Sequence, residues 1–355
     1  MIVKINKNVL EHMLVNAQSF LEKKDISQIT SHVLIEAKES FIELKATDFE
    51  IGISMNSSNI TIEQTGLATA NGKKLLDIVK ILKDDLVELK TEDDHLYIEQ
   101  EKSKFKLPMY NALEYPQFPE IDNRPKFEIE PMEFLKAVKK ISPAIDTNNP
   151  KFELNGALID LYDDKINFVA TDTRRLAVVT IDKNIDKDIS LIIPKKAISE
   201  IQKLFFGEME IFYDEKTLLI KSENFIFFTK LINGKYPDYQ RIIPKESKIE
   251  FLLDRDKMIT HIKQIATISQ EMKITFKNDS IVFESLNEEN IEAKTELLYE
   301  IELDEEIPLA VNSRYILDFL SHVDQNEFKL GYNDATLPFT LKSENFITVV
   351  MPIML

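Results

Sequence analysis

The chain has 355 residues, of which 44% are hydrophobic and 30% charged, with a net charge of -17 and no cysteine. That length is more than one ordinary core and calls for two or three domains in a folded, soluble chain. The missing cysteines exclude disulfides, thiolate nucleophiles and zinc–thiolate centres.

No run of 18 uncharged apolar residues is present, so no membrane span is expected. The start, MIVKINKNVLEHML, does not read as a secretion signal, and the cytoplasm is the expected location.

From the start, Ile5–Leu14 (INKNVLEHML) runs from a short extended piece into a helix, and Ser40–Asp48 (SFIELKATD) alternates like a strand. Asn71–Leu82 (NGKKLLDIVKIL) then gives an amphipathic helix at about 100° per residue. Leu75, Ile78, Val79 and Leu82 share one face, opposite Lys73, Asp77 and Lys80. Phe105–Pro116 closes this unit as an expected strand pair ending in Tyr115-Pro116.

The order then recurs. Ile129–Val138 matches the first helix, and Lys165–Asp172 (KINFVATD) repeats the strand with its Ala-Thr-Asp ending. Pro194–Phe205 matches the second helix, with Ile198, Ile201 and Phe205 inside and Lys196, Glu200 and Lys203 outside. Phe228–Pro237 again ends in Tyr-Pro.

A third round holds Leu252–Ile262, a weaker strand Ser280–Leu286, helix Asn312–Val323 and the pair Phe339–Pro352. In that helix Ile316, Phe319 and Val323 face inward, across from Arg314, Asp318 and Ser321. Asp77, Glu200 and Asp318 match at spacings of 123 and 118 residues. Such a period is too long for a solenoid and describes a triplicated domain. Boundaries are expected in the polar, Pro-bearing stretches near 123 and 247, giving domains 1–123, 124–246 and 247–355. Each unit reads as α+β, two helices on antiparallel sheets.

Charge follows the same plan. Six segments read as helical (4–12, 73–83, 134–140, 195–203, 257–263 and 314–322) hold fifteen Lys and Arg against four acids, a balance of +11 that leaves -28 elsewhere. Lys136 and Lys140 belong to this set, with Lys73, Lys80, Lys196, Lys203 and Arg314. With screening over about 8 Å, a polyanion feels the nearest surface rather than the net charge.

Catalytic chemistry is not visible. The seven glycines are scattered singly and the five histidines share no ligand spacing, so neither a phosphate loop nor a metal site is expected. Each histidine reads as a surface or satisfied structural residue. Thr47-Asp48 and Thr171-Asp172 read as strand-end turns bonded to their own backbone. No nucleophile–base set appears; no cofactor, no metal and no enzymatic activity are expected. The apolar ending Val349-Val350-Met351-Pro352-Ile353-Met354-Leu355 either packs into a core or lines a groove for a partner.

The motifs VATDTRRLAV, KYPDYQRIIP and VVMPIML, with Leu154–Val179 as a whole, resemble the bacterial DNA polymerase III beta subunit, the sliding-clamp family, over all three repeats. The resemblance implies three DNA-clamp domains per chain and a homodimeric ring, joined head to tail, around duplex DNA. It implies a processivity factor that tethers DNA polymerase III subunits, the clamp loader and other proteins with a clamp-binding motif (a leading Gln, a trailing Leu or Phe). Size agrees: units about 35 Å across leave a hole of about 5 Å when three close up and about 35 Å when six do, and a duplex is roughly 20 Å wide.

Carried over by resemblance, the partner groove includes Leu154, Thr171, Arg174, Arg175, Leu176, Pro237, Arg241, Ile242, Asn312 and Tyr315. Thr336, Pro338, Val349, Val350, Met351, Pro352 and Met354 complete it. Thr173 and Arg174 stand where the family often has Gly and His, which points to a different rim. The dimer seam is expected at Phe105 and Leu107 against Ile268 of a second copy; the shortened segment after Ile268 departs from the family pattern. Two other readings stay open: an acidic peptide-binding adaptor that never encloses DNA, and a hydrolase using Asp48 and Asp172.

Overall fold

The computed structural model describes residues 1–25, 27–184, 188–286 and 292–354. Among these are six α-helices: α1 Lys7–Ala17, α2 Gly72–Ile81, α3 Pro131–Ile141, α4 Lys195–Leu204, α5 Arg255–Ala266 and α6 Ser313–Leu320. Four open on a side-chain cap, the Asn6, Asn71, Asp254 and Asn312 oxygens accepting from the backbone N–H of Asn8, Lys74, Lys257 and Arg314. Pro131 opens α3, and Pro194 ends the strand before α4. The helices alternate with the strands as the repeat requires, and α1 packs beside α2 as α5 does beside α6.

The helix faces follow the periodicity with three exceptions. The segment 4–12 is not one helix, because Lys4 lies on the strand Ile2–Asn6 and pairs with Glu63 at 2.5 Å. Leu76 is buried beside Leu75 and Val79, and α2 stops at Ile81, leaving Lys83 outside it. Glu200, expected on the outer face of α4, is 6% exposed. A ten-residue helix against a sheet buries a wider stripe than the four positions counted from its pattern.

Among the described residues the named strands pair antiparallel, in four sheets. One sheet of five runs Ile60–Gln64, Ile2–Asn6, Leu86–Glu92, His95–Gln100, Ser103–Pro108. One of seven joins Glu210–Tyr213, Thr217–Lys221 and Phe225–Lys230 to Ile51–Ser57, Ile42–Thr47, His32–Ala37 and Gly66–Asn71. One of eight joins Ile189–Pro194, Gly156–Tyr162, Lys165–Thr171 and Arg175–Asp182 to Phe346–Val350, Phe339–Ser343, Glu327–Tyr332 and Ile249–Asp254. The last has four: Lys294–Leu298, Ser280–Ser285, Glu271–Phe276, Ile307–Asn312.

The two larger sheets are therefore shared between successive repeats. For this reason contact density divides the chain into two compact units, Met1–Met132 with Lys203–Leu231, and Glu133–Gln202 with Ile232 onward. The five- and four-stranded sheets are the halves left over, ending at the edges Ser103–Pro108 and Lys294–Leu298.

The closing strand pairs expected in the first two repeats are single strands, ending at Pro108 and Lys230. Coil follows each, anchored by buried Tyr115 and Tyr236. A proline-bearing segment lacks the N–H groups for a full ladder. In each repeat the last strand is instead the second arm of a hairpin: His95–Gln100 with Ser103–Pro108, Thr217–Lys221 with Phe225–Lys230, and Phe339–Ser343 with Phe346–Val350.

Candidate partner-binding groove

The groove is built on a turn. Thr171 ends one strand with its hydroxyl donating to the Arg175 carbonyl at 2.6 Å and accepting the Thr173 N–H at 3.1 Å. Asp172 Oδ1 accepts from the N–H groups of Arg174 and Arg175 at 3.0 and 2.9 Å. Thr173 is held at φ 71°, an unusual setting for a β-branched residue. The turn leaves Arg174 exposed and turns Arg175 inward, to 5% exposure.

Below it lies a buried apolar floor: Leu154, Leu158, Val169, Leu176, Val178, Ile192, Tyr236, Tyr239 and Val349, with Ile232, Ile243 and Ile347 packed at its border. Tyr239 donates to Asp160 Oδ2 at 3.0 Å. Burial raises the hydroxyls of Tyr236 and Tyr239 above the usual phenol range, so both stay neutral.

The tail divides at Val350. Val349 and Val350 pair with Leu176 and Arg175 and are buried. Beyond them the Met351 N–H donates to the Arg174 carbonyl at 2.9 Å and the Ile353 N–H to the Ala310 carbonyl at 2.8 Å. Met351 and Met354 are left 41% and 69% exposed. The core reading of the apolar ending thus holds for Val349 and Val350, while Met351 and Met354 remain exposed; Leu355 lies outside the described residues.

Arg175 closes one wall. Its Nε donates to Asp172 Oδ2 at 3.1 Å, its Nη1 to Asp318 Oδ2 at 2.7 Å and its Nη2 to the Pro143 carbonyl. The guanidinium lies 4.6 Å from the ring centre of Tyr315, on α6 one turn after its cap Asn312. Burial raises the Tyr315 hydroxyl first, with Asp172 adding to it.

Leu154, Leu176 and Val349 meet in one cluster, Arg174 is clipped to Met351 and Arg175 faces Tyr315. Pro237 is half-buried between Tyr236 and Asp238, and Ile242 is 44% exposed. Arg241 points outward, its side chain 86% exposed and paired with Asp238 at 2.7 Å. Thr336 bonds into its own turn with Asp334, ahead of half-buried Pro338. Pro352 is half-buried.

Sequence reasoning did not single out Tyr239, Ile243 or Ile347, nor the role of Asp318. Tyr239 sat inside the quoted KYPDYQRIIP, while nothing local marked Asp318 as a partner of a residue 143 positions away.

Of the cations expected to face DNA, Lys73, Lys80, Lys136, Lys196, Lys203 and Arg314 are exposed on their helices. Lys140 is different, with its side chain 11% exposed, paired to Asp324 at 3.4 Å and 5.8 Å from the Phe346 ring centre. Phe105 is half-buried and Leu107 buried on the edge strand Ser103–Pro108, and Ile268 is 44% exposed just after α5. The described residues hold no group of three or more potential metal ligands.

Thr47-Asp48 repeats the groove turn. The Thr47 hydroxyl donates to the Ile51 carbonyl at 2.8 Å, Asp48 Oδ1 accepts from Glu50 and Ile51 at 3.0 Å each, and Phe49 has φ 72°. Both carboxylates staple backbone, as the sequence reading expected, and this is structural work.

The candidate site is thus a buried apolar cluster beside a tight turn, bordered by an exposed arginine and two exposed methionines, on a repeated α+β frame. The chain belongs to the DNA polymerase III beta subunit family: the N-terminal domain of that family matches residues 1–119, the central domain 128–238 and the C-terminal domain 240–354. The beta sliding clamp of Helicobacter pylori (strain J99) is 38% identical over 349 residues, 96% of this chain and 93% of the relative. That of Bacillus subtilis (strain 168) is 27% identical over 329 residues, 89% and 85% of the two. The crystal structure of the H. pylori beta clamp bound to a DNA ligase peptide superposes with a TM-score of 0.95, at 38% identity and with both chains fully covered. The DNA polymerase III subunit beta of Pseudomonas aeruginosa shares the fold, with a TM-score of 0.92 at 24% identity.

Proposed function

We propose that two copies of this chain close head to tail around duplex DNA as a sliding clamp, and that the groove tethers the replicative polymerase and other partners to it. The observation that carries this is the sharing of sheets. Strand Phe225–Lys230 completes the sheet of the preceding repeat, and Phe346–Val350 does the same one repeat later. By that rule Ser103–Pro108 should complete the sheet ending at Lys294–Leu298, and within one chain these two strands are edges of separate sheets. A second copy satisfies both edges at once and closes the ring. An unpaired edge strand left in solvent is a liability that pairing removes.

In this reading Phe105 and Leu107 meet Ile268 at the seam, and Lys73, Lys80, Lys136, Lys196, Lys203 and Arg314 line the channel. Lys140 contributes least, being tied to Asp324. Contacts of this kind reach phosphate alone, so binding is independent of sequence and weakened by salt. Domains 1–123, 124–246 and 247–355 are the working units. The groove takes a linear motif with a leading Gln and a trailing Leu or Phe, and a DNA ligase segment is one candidate occupant. The protein has no catalysis of its own and works in the cytoplasm.

Retention on DNA is the test. Loaded onto a closed circle the ring should stay, and cutting the circle should release it by sliding off the ends. Equal retention on cut and uncut DNA, or a purely monomeric mass at micromolar concentration, would leave the adaptor reading in its place.

A further inference from the structure

One carboxylate oxygen serves two different surfaces. Asp318 Oδ2 accepts from Arg175 Nη1 at 2.7 Å, in the groove wall, and lies 3.7 Å from Nε of Arg314 on the outer side of α6. Arg175 is 5% exposed, while the Arg314 side chain is 70% exposed. The shorter distance is a charge-assisted hydrogen bond and the longer one only an ion-pair approach.

We propose that Asp318 is a positioning residue of the groove, holding Arg175 against Tyr315, and that Arg314 competes for the same oxygen and so links the groove to the DNA side of the helix. The inference rests on the groove and DNA readings above.

Removing the charge of Asp318 leaves a buried guanidinium with Asp172 as its remaining carboxylate, an under-compensated buried charge. The wall then loosens where Arg175 meets the Tyr315 ring. Engaging Arg314 with phosphate acts the other way, because Oδ2 is left to Arg175 alone. By linkage, DNA then tightens the groove for peptide and peptide tightens the ring's hold on DNA by the same factor.

The full-length protein, a fluorescent peptide with a leading Gln and trailing Leu-Phe, and anisotropy suffice to test this. Asp318→Asn should weaken the peptide by about ten-fold, the scale of one charge-assisted hydrogen bond. Arg314→Gln, a mimic of the phosphate-engaged state, should tighten it by about two-fold, and the double variant should match Asp318→Asn because the two effects share one atom. A merely structural Asp318 would weaken the peptide in Asp318→Asn and leave it unchanged in Arg314→Gln. Unchanged affinity in Asp318→Asn, or unchanged or weaker binding in Arg314→Gln, would overturn the proposal. Failure of the wild-type protein to bind the peptide would instead remove the groove reading, and the proposal with it.

Discussion

Among single residues, His32 makes the clearest departure from expectation. It is 5% exposed, lies with its ring centre 4.5 Å from that of Tyr110 at a 47° tilt, and its Nδ1 has no hydrogen-bond partner among the described residues. It is thus neither a surface histidine nor a satisfied one. Burial, with Lys74 nearby, lowers its pKa to about 4. The folded value lies below the unfolded one of about 6.5, so between these values the unfolded chain binds the proton and the native chain does not. Stability from this group is therefore complete above about pH 6.5 and is lost as pH falls toward about 4. At about pH 5 the loss should reach roughly 2 kcal/mol, and urea midpoints should show it. A His32→Gln variant should lose that part of the slope; an identical slope would place the effect elsewhere.

The elements show how one plan gives a groove in one place and not in another. The first repeat has the same turn, the same sheet pairing and the same clip, with the Lys230 N–H donating to the Glu50 carbonyl at 2.8 Å where Met351 donates to Arg174. Yet Gly52 stands where the groove has Leu176, and Phe228 where it has Val349. A Cβ on Gly52 would lie 2.2 Å from the Phe228 ring, which is packed edge-on against Phe118 at 4.9 Å. The ring fills the space above the glycine, so the site is closed by its own side chains. At the groove, the corresponding strand continues as a tail with exposed methionines. Deleting Met351–Leu355 should reduce peptide binding by about ten-fold or more while leaving the proposed dimer intact by sedimentation. The sheet pairing of Val349 and Val350 survives that deletion. A truncated protein that still captures the peptide would show that the floor suffices without the tail.

For the whole molecule, charge and topology have to be weighed together. A chain of net charge -17 can hold DNA only if its cations are grouped and its acids kept beyond a screening length. Lys73, Lys80, Lys196 and Lys203 on α2 and α4 are exposed and are the cations proposed above to supply that grouping. Changing these four to Glu should greatly reduce loading onto DNA and flatten its salt dependence, since each lost phosphate contact removes about one unit of slope. Thermal unfolding should change little, as exposed charges contribute little to stability. Normal loading by the quadruple variant would mean that other cations meet the phosphates.

The α+β class, the threefold repeat, the helix faces and the Thr-Asp turns were all legible in the sequence, because periodicity, caps and turn chemistry act over a few residues. So was the local meeting of Thr171, Arg175 and Leu176, which one motif carries together. The tertiary structure alone decided what depends on distant partners: that sheets cross from one repeat to the next, that Lys140 is tied to Asp324, and that Glu200 and His32 are buried. The sharing of Asp318 between Arg175 and Arg314 belongs there too. Burial and ion pairing are set by which segments meet in space, and residues 143 apart carry no local mark that they will share an oxygen.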